Sequence, residues 1–165
     1  MKISNRLKFI ESICDKCKTF VDIGTDHGYV PYLMLKDNKA KKIIATDVRT
    51  KPINTAKSNL SKFDQKKLDF RVGDGLNVID YDEAEGICIC GMGYDLIKNI
   101  LCNIELYNFK YLIVSPHTKQ REFEKFIKKK KMHYNLFIIE DNKKIYYIYK
   151  IRRNMLLSIK DKFFK

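Results

Sequence analysis

Val21-Asp22-Ile23-Gly24-Thr25-Asp26-His27-Gly28 decides the fold. Residues 19–23, just ahead of the glycines, read as a short buried strand that stops at Gly24. Beyond the turn, Tyr29, Val30, Leu33, Met34 and Leu35 give residues 28–36 an apolar helical pattern, with Pro31 tolerated in the first turn. A strand that enters a helix through a glycine turn is the opening of an α/β unit.

The same alternation continues outward. Residues 42–46, 68–72, 86–90 and 111–115 read as further strands, and residues 52–63, 94–102 and 119–130 as helices. Phe123, Phe126 and Ile127 share one side of the last helix. Upstream, residues 4–14 read as a helix capped by Ser4 or Asn5. Residues 136–140 and 144–151 follow as two strands with no helix between them. Asp141-Asn142-Lys143 joins them, and Asn at positive φ suits such a hairpin turn. The expectation is a doubly wound, mostly parallel Rossmann-like α/β sheet ending in an antiparallel hairpin. Residues 1–152 would form one domain, and residues 153–165 a basic C-terminal tail.

Composition narrows the function. The chain has 165 residues and no Trp, and it carries 33 Lys and Arg against 20 Asp and Glu, a net charge of +13. The excess is regional: residues 119–165 carry +10 and residues 1–118 only +3. A regional basic excess attracts polyanions, whereas a uniform Lys-rich surface would spread it evenly. Lys128, Lys129, Lys130, Lys131, Arg152 and Arg153 are the candidate contacts to RNA. No apolar run reaches the ~18 residues of a membrane span, and the N-terminus lacks a signal-peptide pattern. The reading is a cytoplasmic protein, off the membrane and monomeric. Five cysteines, an odd number, fit reduced thiols rather than a disulfide framework.

Ligands of such sheets bind beyond the carboxyl ends of the strands, near the point where strand order reverses. The Gly24-to-Gly28 spacing does not meet the nicotinamide fingerprint, which needs a third glycine between. An acidic residue at the strand end, then Gly, then Gly four later, suits a ligand with an ammonium rather than a pyrophosphate. The expected cofactor is S-adenosylmethionine, with Asp22 supplying or organising the anion. Asp47 ends the second strand, where a carboxylate accepts both hydroxyls of a ribose; Val48 follows it. Asp74, between Gly73 and Gly75, is placed to meet the amino edge of adenine, although an Asp-held turn is the competing reading. Gly91-Met92-Gly93 forms the turn after the fourth strand, where the reacting methyl should lie, with Met92 as a soft lining. The cofactor contacts are thus Asp22, Gly24, Thr25, Asp26, His27, Gly28, Asp47, Val48, Gly73, Asp74, Gly75, Gly91 and Met92. Cys14-Asp15-Lys16-Cys17 is a lone C-x-x-C without the second pair that a structural zinc needs. No metal is expected.

These motifs together resemble the bacterial tRNA (adenine(22)-N1)-methyltransferases. The likeness runs from Leu7 to about Tyr149. It rests on Arg6-Leu7, the block from Asp22 to Pro31, Gly73-Asp74-Gly75-Leu76, Cys90-Gly91-Met92-Gly93 and Ile145-Tyr146. The resemblance implies a seven-stranded methyltransferase sheet, S-adenosylmethionine as donor, S-adenosylhomocysteine as product, and adenine 22 of tRNA as acceptor. On that basis Asp26, His27, Gly91, Met92 and Tyr94 are placed near the methyl. Tyr94 is the stacking platform, and His117 contacts base or phosphate or acts as a base. Two motifs depart from the family: Tyr94 stands where a second glycine is usual, and Ser115-Pro116-His117 replaces Gln-Pro-Asn. Members of the family also carry a C-terminal helical domain, which this sequence is too short to hold. Methylation of another RNA site, or cofactor or RNA binding without transfer, are the alternative readings.

Overall fold

The computed structural model describes residues 3–152. One sheet of seven strands carries the chain: β1 (Cys17–Ile23), β2 (Ala40–Asp47), β3 (Leu68–Val72), β4 (Gly86–Met92), β5 (Tyr111–Pro116), β6 (His133–Asp141) and β7 (Lys144–Arg152). Their order is β3-β2-β1-β4-β5-β7-β6. The first five strands pair in parallel, and β7 runs antiparallel to both β5 and β6. Strand order reverses between β1 and β4, so the carboxyl ends of these two strands flank the switch point.

Five helices cover the sheet: α1 (Asn5–Ser12), α2 (Tyr29–Lys36), α3 (Thr50–Asn59), α4 (Tyr94–Ile100) and α5 (Gln120–Lys129). Ser4 caps α1 by accepting from the Leu7 amide. The α3 pattern was expected to reach residue 63 but stops at Asn59. Leu60 closes the helix, and a Phe63 amide bond to the Leu60 carbonyl turns the chain toward β3. The hairpin turn has Asn142 and Lys143 both at positive φ, the backbone of a type I′ turn.

Period-two alternation sends side chains into two cores. Val21, Ile44, Ile87, Ile89, Leu112, Val114 and Tyr149 face α4 and α5. Phe20, Ile43, Ala45, Cys88, Ile113 and Ile148 face α1 and α2. Phe123 and Ile127 of α5 are fully buried and Phe126 partly so, as their shared helical face requires. Lys150 lies buried in β7, where its ammonium donates to the Ile13 carbonyl and to Asp15 Oδ1, each at 2.7 Å. This pins the start of β1 to the last strand. The Cys88 and Cys90 sulfurs lie 3.5 Å apart and are not bonded.

Among the described residues, no helix is long and apolar enough to cross a membrane. None of their His, Cys, Asp and Glu side chains gather in a group able to hold a metal ion. Arg153 and the tail at 153–165 lie outside the described residues.

Candidate active site

A cleft of about 550 Å³ opens at the carboxyl ends of β1 to β4. Its floor is the β1–α2 turn, which folds through three left-handed residues: Gly24 (φ 73°), Asp26 (φ 49°) and Gly28 (φ 69°). The left-handed backbone at Gly24 favours glycine, and a β-carbon there would also displace the terminal methyl of Met92. Met92 thus packs its thioether across the end of β1 and closes that side of the cleft. Gly28 plays a different part from the one expected. It caps α2 and does not line the cleft; a β-carbon there would press on Ala56 and Leu60 near 3.1 Å. Its role is close packing of α2 on the α3 segment.

Three carboxylates at successive strand ends line the cleft. Asp22 is buried, and burial pushes its carboxyl up to about 6. The negative charge of Asp47 adds to that rise, while the neighbouring Thr25 and Cys88 side chains pull the other way. Asp47 is also buried; only its Oδ1 is engaged, by the Arg49 amide at 3.0 Å and by the Arg49 Nε at 3.6 Å. Asp74 is exposed. Its turn is held by the backbone, with the Asn77 amide donating to the Asp74 carbonyl at 3.1 Å, so the carboxylate is not consumed in the turn. The flanking Gly73 and Gly75 line the cleft too, and they also leave room for packing: a β-carbon at Gly73 would collide with Val78, and one at Gly75 with Ile100.

The lower and upper walls were less legible. Thr46 is fully buried beside Asp47, lines the cleft, and its hydroxyl has no partner. A buried hydroxyl left unpaired is costly, and a polar ligand in the cleft would satisfy it. Val48 and Leu96, 60% and 48% exposed, face the same opening. Exposed apolar side chains on facing walls suit a flat ring. Leu96 and Ile100 were missed in the sequence because they sit four apart on a short helix whose other face carries the core residue Ile97.

The Met92 side of the cleft departs most from the sequence pattern. The spacing predicts a turn over residues 91–93, but β4 continues to Met92. Gly91 bulges out of the β4–β5 pairing at φ 90°, and the His117 amide donates to the Met92 carbonyl at 2.9 Å. The bulge bends the strand end, as such insertions do. Tyr94 does not line the cleft. It packs on the core beside α5 and lines a separate surface groove with Lys98, Phe126 and Lys129. The reason is helical phase: Leu96 lies about 200° around the helix from Tyr94, so the residue that faces the cleft cannot be its first. Ser115 is fully buried, and its hydroxyl has no partner.

Asp26 and His27 do line the cleft. His27 Nε2 is 3.5 Å from Asp26 Oδ2, and its ring stacks on Tyr29 with centroids 5.2 Å apart. His117 is exposed at the rim beside Gly91. Partial burial, with Arg6 and Lys144 nearby, pushes its imidazole below the ordinary value.

Most of the basic candidates lie elsewhere. The end of α5 and Arg152 sit where β5 begins, since Arg152 pairs with Tyr111 and with His133, which follows α5 closely; the cleft is at the opposite end of the strands. Lys130 is also spent internally, on Glu105 at 2.6 Å and the Cys102 carbonyl at 2.7 Å.

The donor set fits an amino acid joined to a nucleoside. A buried carboxylate can take an ammonium, a second carboxylate vicinal hydroxyls, and a third an exocyclic amine, with apolar walls for the base. Comparison with known proteins agrees. The B. subtilis (strain 168) tRNA (adenine(22)-N(1))-methyltransferase is 36% identical over 102 residues, 61% of this chain and 43% of that protein. This chain therefore spans less than half the length of that relative. The structure of M. capricolum TrmK in complex with S-adenosyl-homocysteine superposes with a TM-score of 0.83 at 25% identity, covering 93% of this chain and 70% of that one. The B. subtilis M1A22 tRNA methyltransferase TrmK gives 0.84 at 28% identity, covering 93% and 67%. The family model described as "Methyltransferase domain" matches residues 3–149, and the chain belongs to that family.

Proposed function

We propose that the chain transfers a methyl group from S-adenosylmethionine to N1 of adenine 22 in tRNA. The observation that carries this reading is the convergence of Asp22, Asp47 and Asp74, from three successive strand ends, on one cleft closed by Met92 over Gly24. The likeness to the tRNA (adenine(22)-N(1))-methyltransferase of B. subtilis supplies the acceptor.

The cofactor brings an electrophilic methyl on a positively charged sulfur. Asp22 holds the ammonium end, Asp47 the ribose and Asp74 the adenine edge; Thr25, Val48 and Met92 complete the walls. Adenine N1 attacks with an in-plane lone pair, so no proton has to leave first and no obligatory base is needed. The work of the protein is alignment, together with acceptance of a base extruded at a cost of a few kcal/mol. The product ring is cationic, and the Asp26 carboxylate at the cleft mouth suits that charge. Mapping of methylated nucleotides in transcribed tRNA tests the reading. Methyl at adenine 22 is expected; methyl elsewhere, or none, contradicts it.

tRNA is large enough to reach both ends of the strands. Lys128, Lys129 and Lys131 are exposed and would contact a part of the tRNA remote from the acceptor base. Reversing these three charges to Glu is expected to weaken tRNA binding at least tenfold at low salt and to leave S-adenosylhomocysteine affinity unchanged. Unaltered tRNA binding would remove this end from the interface.

A further inference from the structure

Three segments far apart in sequence meet at the acceptor end of the cleft. Arg6, half-buried in α1, lines the cleft. Its guanidinium lies 4.8 Å from the centroid of the Tyr146 ring in β7 and 3.4 Å from His117 Nε2 beyond β5. The His117 and Tyr146 rings meet edge to face at 6.0 Å. Behind them the Arg6 amide donates to Asp141 Oδ2 at 3.3 Å, which ties α1 to the hairpin.

The electrostatics of this corner are unusual for the cleft. Asp22, Asp26, Asp47 and Asp74 make the walls acidic, and the second arginine there, Arg49, leans on Asp47. The Arg6 guanidinium has no carboxylate partner among the described residues; Asp141 meets its backbone amide instead. With partial burial, Arg6 and Lys144 both hold the His117 imidazole below its ordinary value. A planar cation stacked on an aromatic ring is held in place, and with one Arg6 nitrogen turned to His117 Nε2 its other donors stay open. A guanidinium that no described carboxylate pairs, at the rim of an acidic cleft, makes a site for an anion.

We infer that Arg6, held over Tyr146, takes a phosphate of the RNA strand next to the acceptor nucleotide. The inference rests on the proposed function and names the group that positions its substrate. Two anions are at hand, the carboxylate of the cofactor and a phosphate of the RNA, and Arg6 lines the same cleft as Asp22. The guanidinium's place at the rim beside exposed His117, where an RNA strand would pass, favours phosphate, and titration with S-adenosylhomocysteine alone separates the two. Arg6 is a positioning residue here. It fixes the strand while the base enters the cleft past Gly91, whose missing side chain leaves room beside His117.

The test measures binding of transcribed tRNA to the S-adenosylhomocysteine-saturated protein across a salt series, alongside calorimetry with S-adenosylhomocysteine alone. Arg6→Ala is expected to weaken tRNA binding and to lower the slope of log affinity against log salt by about one. Its affinity for S-adenosylhomocysteine should stay within about twofold, since no cofactor contact is assigned to Arg6. Arg6→Lys should restore the slope, because the charge remains, but not the full affinity, because the stacked fork is lost. An unchanged slope in Arg6→Ala overturns the inference and leaves the proposed function standing. A loss of S-adenosylhomocysteine affinity also overturns it, by assigning the guanidinium to the cofactor. Absence of tRNA binding by the unsubstituted protein overturns both.

Discussion

Asp22→Asn is expected to lower affinity for S-adenosylhomocysteine by about 10- to 100-fold, the weight of a charge-assisted hydrogen bond in a buried site. The same substitution is expected to stabilise the free protein. Burial raises the Asp22 carboxyl from 3.8 to about 6, so ionising it in the native state has a cost. Between those two values the unfolded chain has released the proton and the native protein has kept it. Stability from this group therefore falls as pH rises across that window and is lowest above it. The displacement corresponds to about 3 kcal/mol, and Asn should recover part of that at pH 7. Binding runs the other way. An ammonium needs the ionised carboxylate, so affinity should be flat above pH 6 and fall about tenfold per unit below it. Asp22→Asn should flatten that profile. Calorimetry at pH 5 and pH 7.5, with thermal melts of both proteins, checks every arm. A variant that loses stability and keeps its affinity would show Asp22 to be a structural residue.

Gly24→Ala is expected to be the most damaging single-methyl change in the cleft. Two costs coincide at this position. The backbone sits at φ 73°, and the added carbon meets the Met92 methyl. The left-handed backbone alone costs about 1–2 kcal/mol for a residue with a β-carbon. The Met92 methyl has to shift to admit the new carbon, and because Met92 lines the cleft that shift changes a wall of the ligand site. A fall of roughly 2–8 °C in melting temperature and a loss of S-adenosylhomocysteine affinity of tenfold or more are the expected readings. Adding Met92→Ala should return part of the affinity and little of the stability, because the methyl contact is relieved and the backbone strain is not. Fully additive effects of the two substitutions would show that they do not share a site.

The acidic wall of the cleft was readable because its signals are local. Each carboxylate sits at the end of an apolar run, and a strand end is where a parallel sheet presents its ligands. Asp22, Asp47 and Asp74 needed no knowledge of the packing. The glycines did. Gly28, Gly73 and Gly75 share the look of Gly24 in the sequence; Gly28 stands outside the cleft and accommodates Ala56 and Leu60, whereas Gly73 and Gly75 line the cleft and also make room for Val78 and Ile100. For Gly28 the difference depends on residues distant in the chain. Tyr94 failed for a related reason. Its placement turned on the phase of a seven-residue helix, too short for apolar spacing to fix which face meets the core. The Arg6, His117 and Tyr146 corner joins residues over a hundred positions apart through the antiparallel hairpin. Sequence spacing carries no signal for such a meeting. The regional charge of residues 119–165 was real, but the strand register places the Lys128–Lys131 end of it away from the cleft.

Titration of the protein with S-adenosylhomocysteine by calorimetry at pH 7.5 shows whether the three-carboxylate cleft holds the cofactor. Saturable binding at one ligand per chain, strongly weakened in Asp22→Asn, is the predicted result. Absence of binding at millimolar ligand, or equal binding by the Asp22→Asn variant, would contradict it.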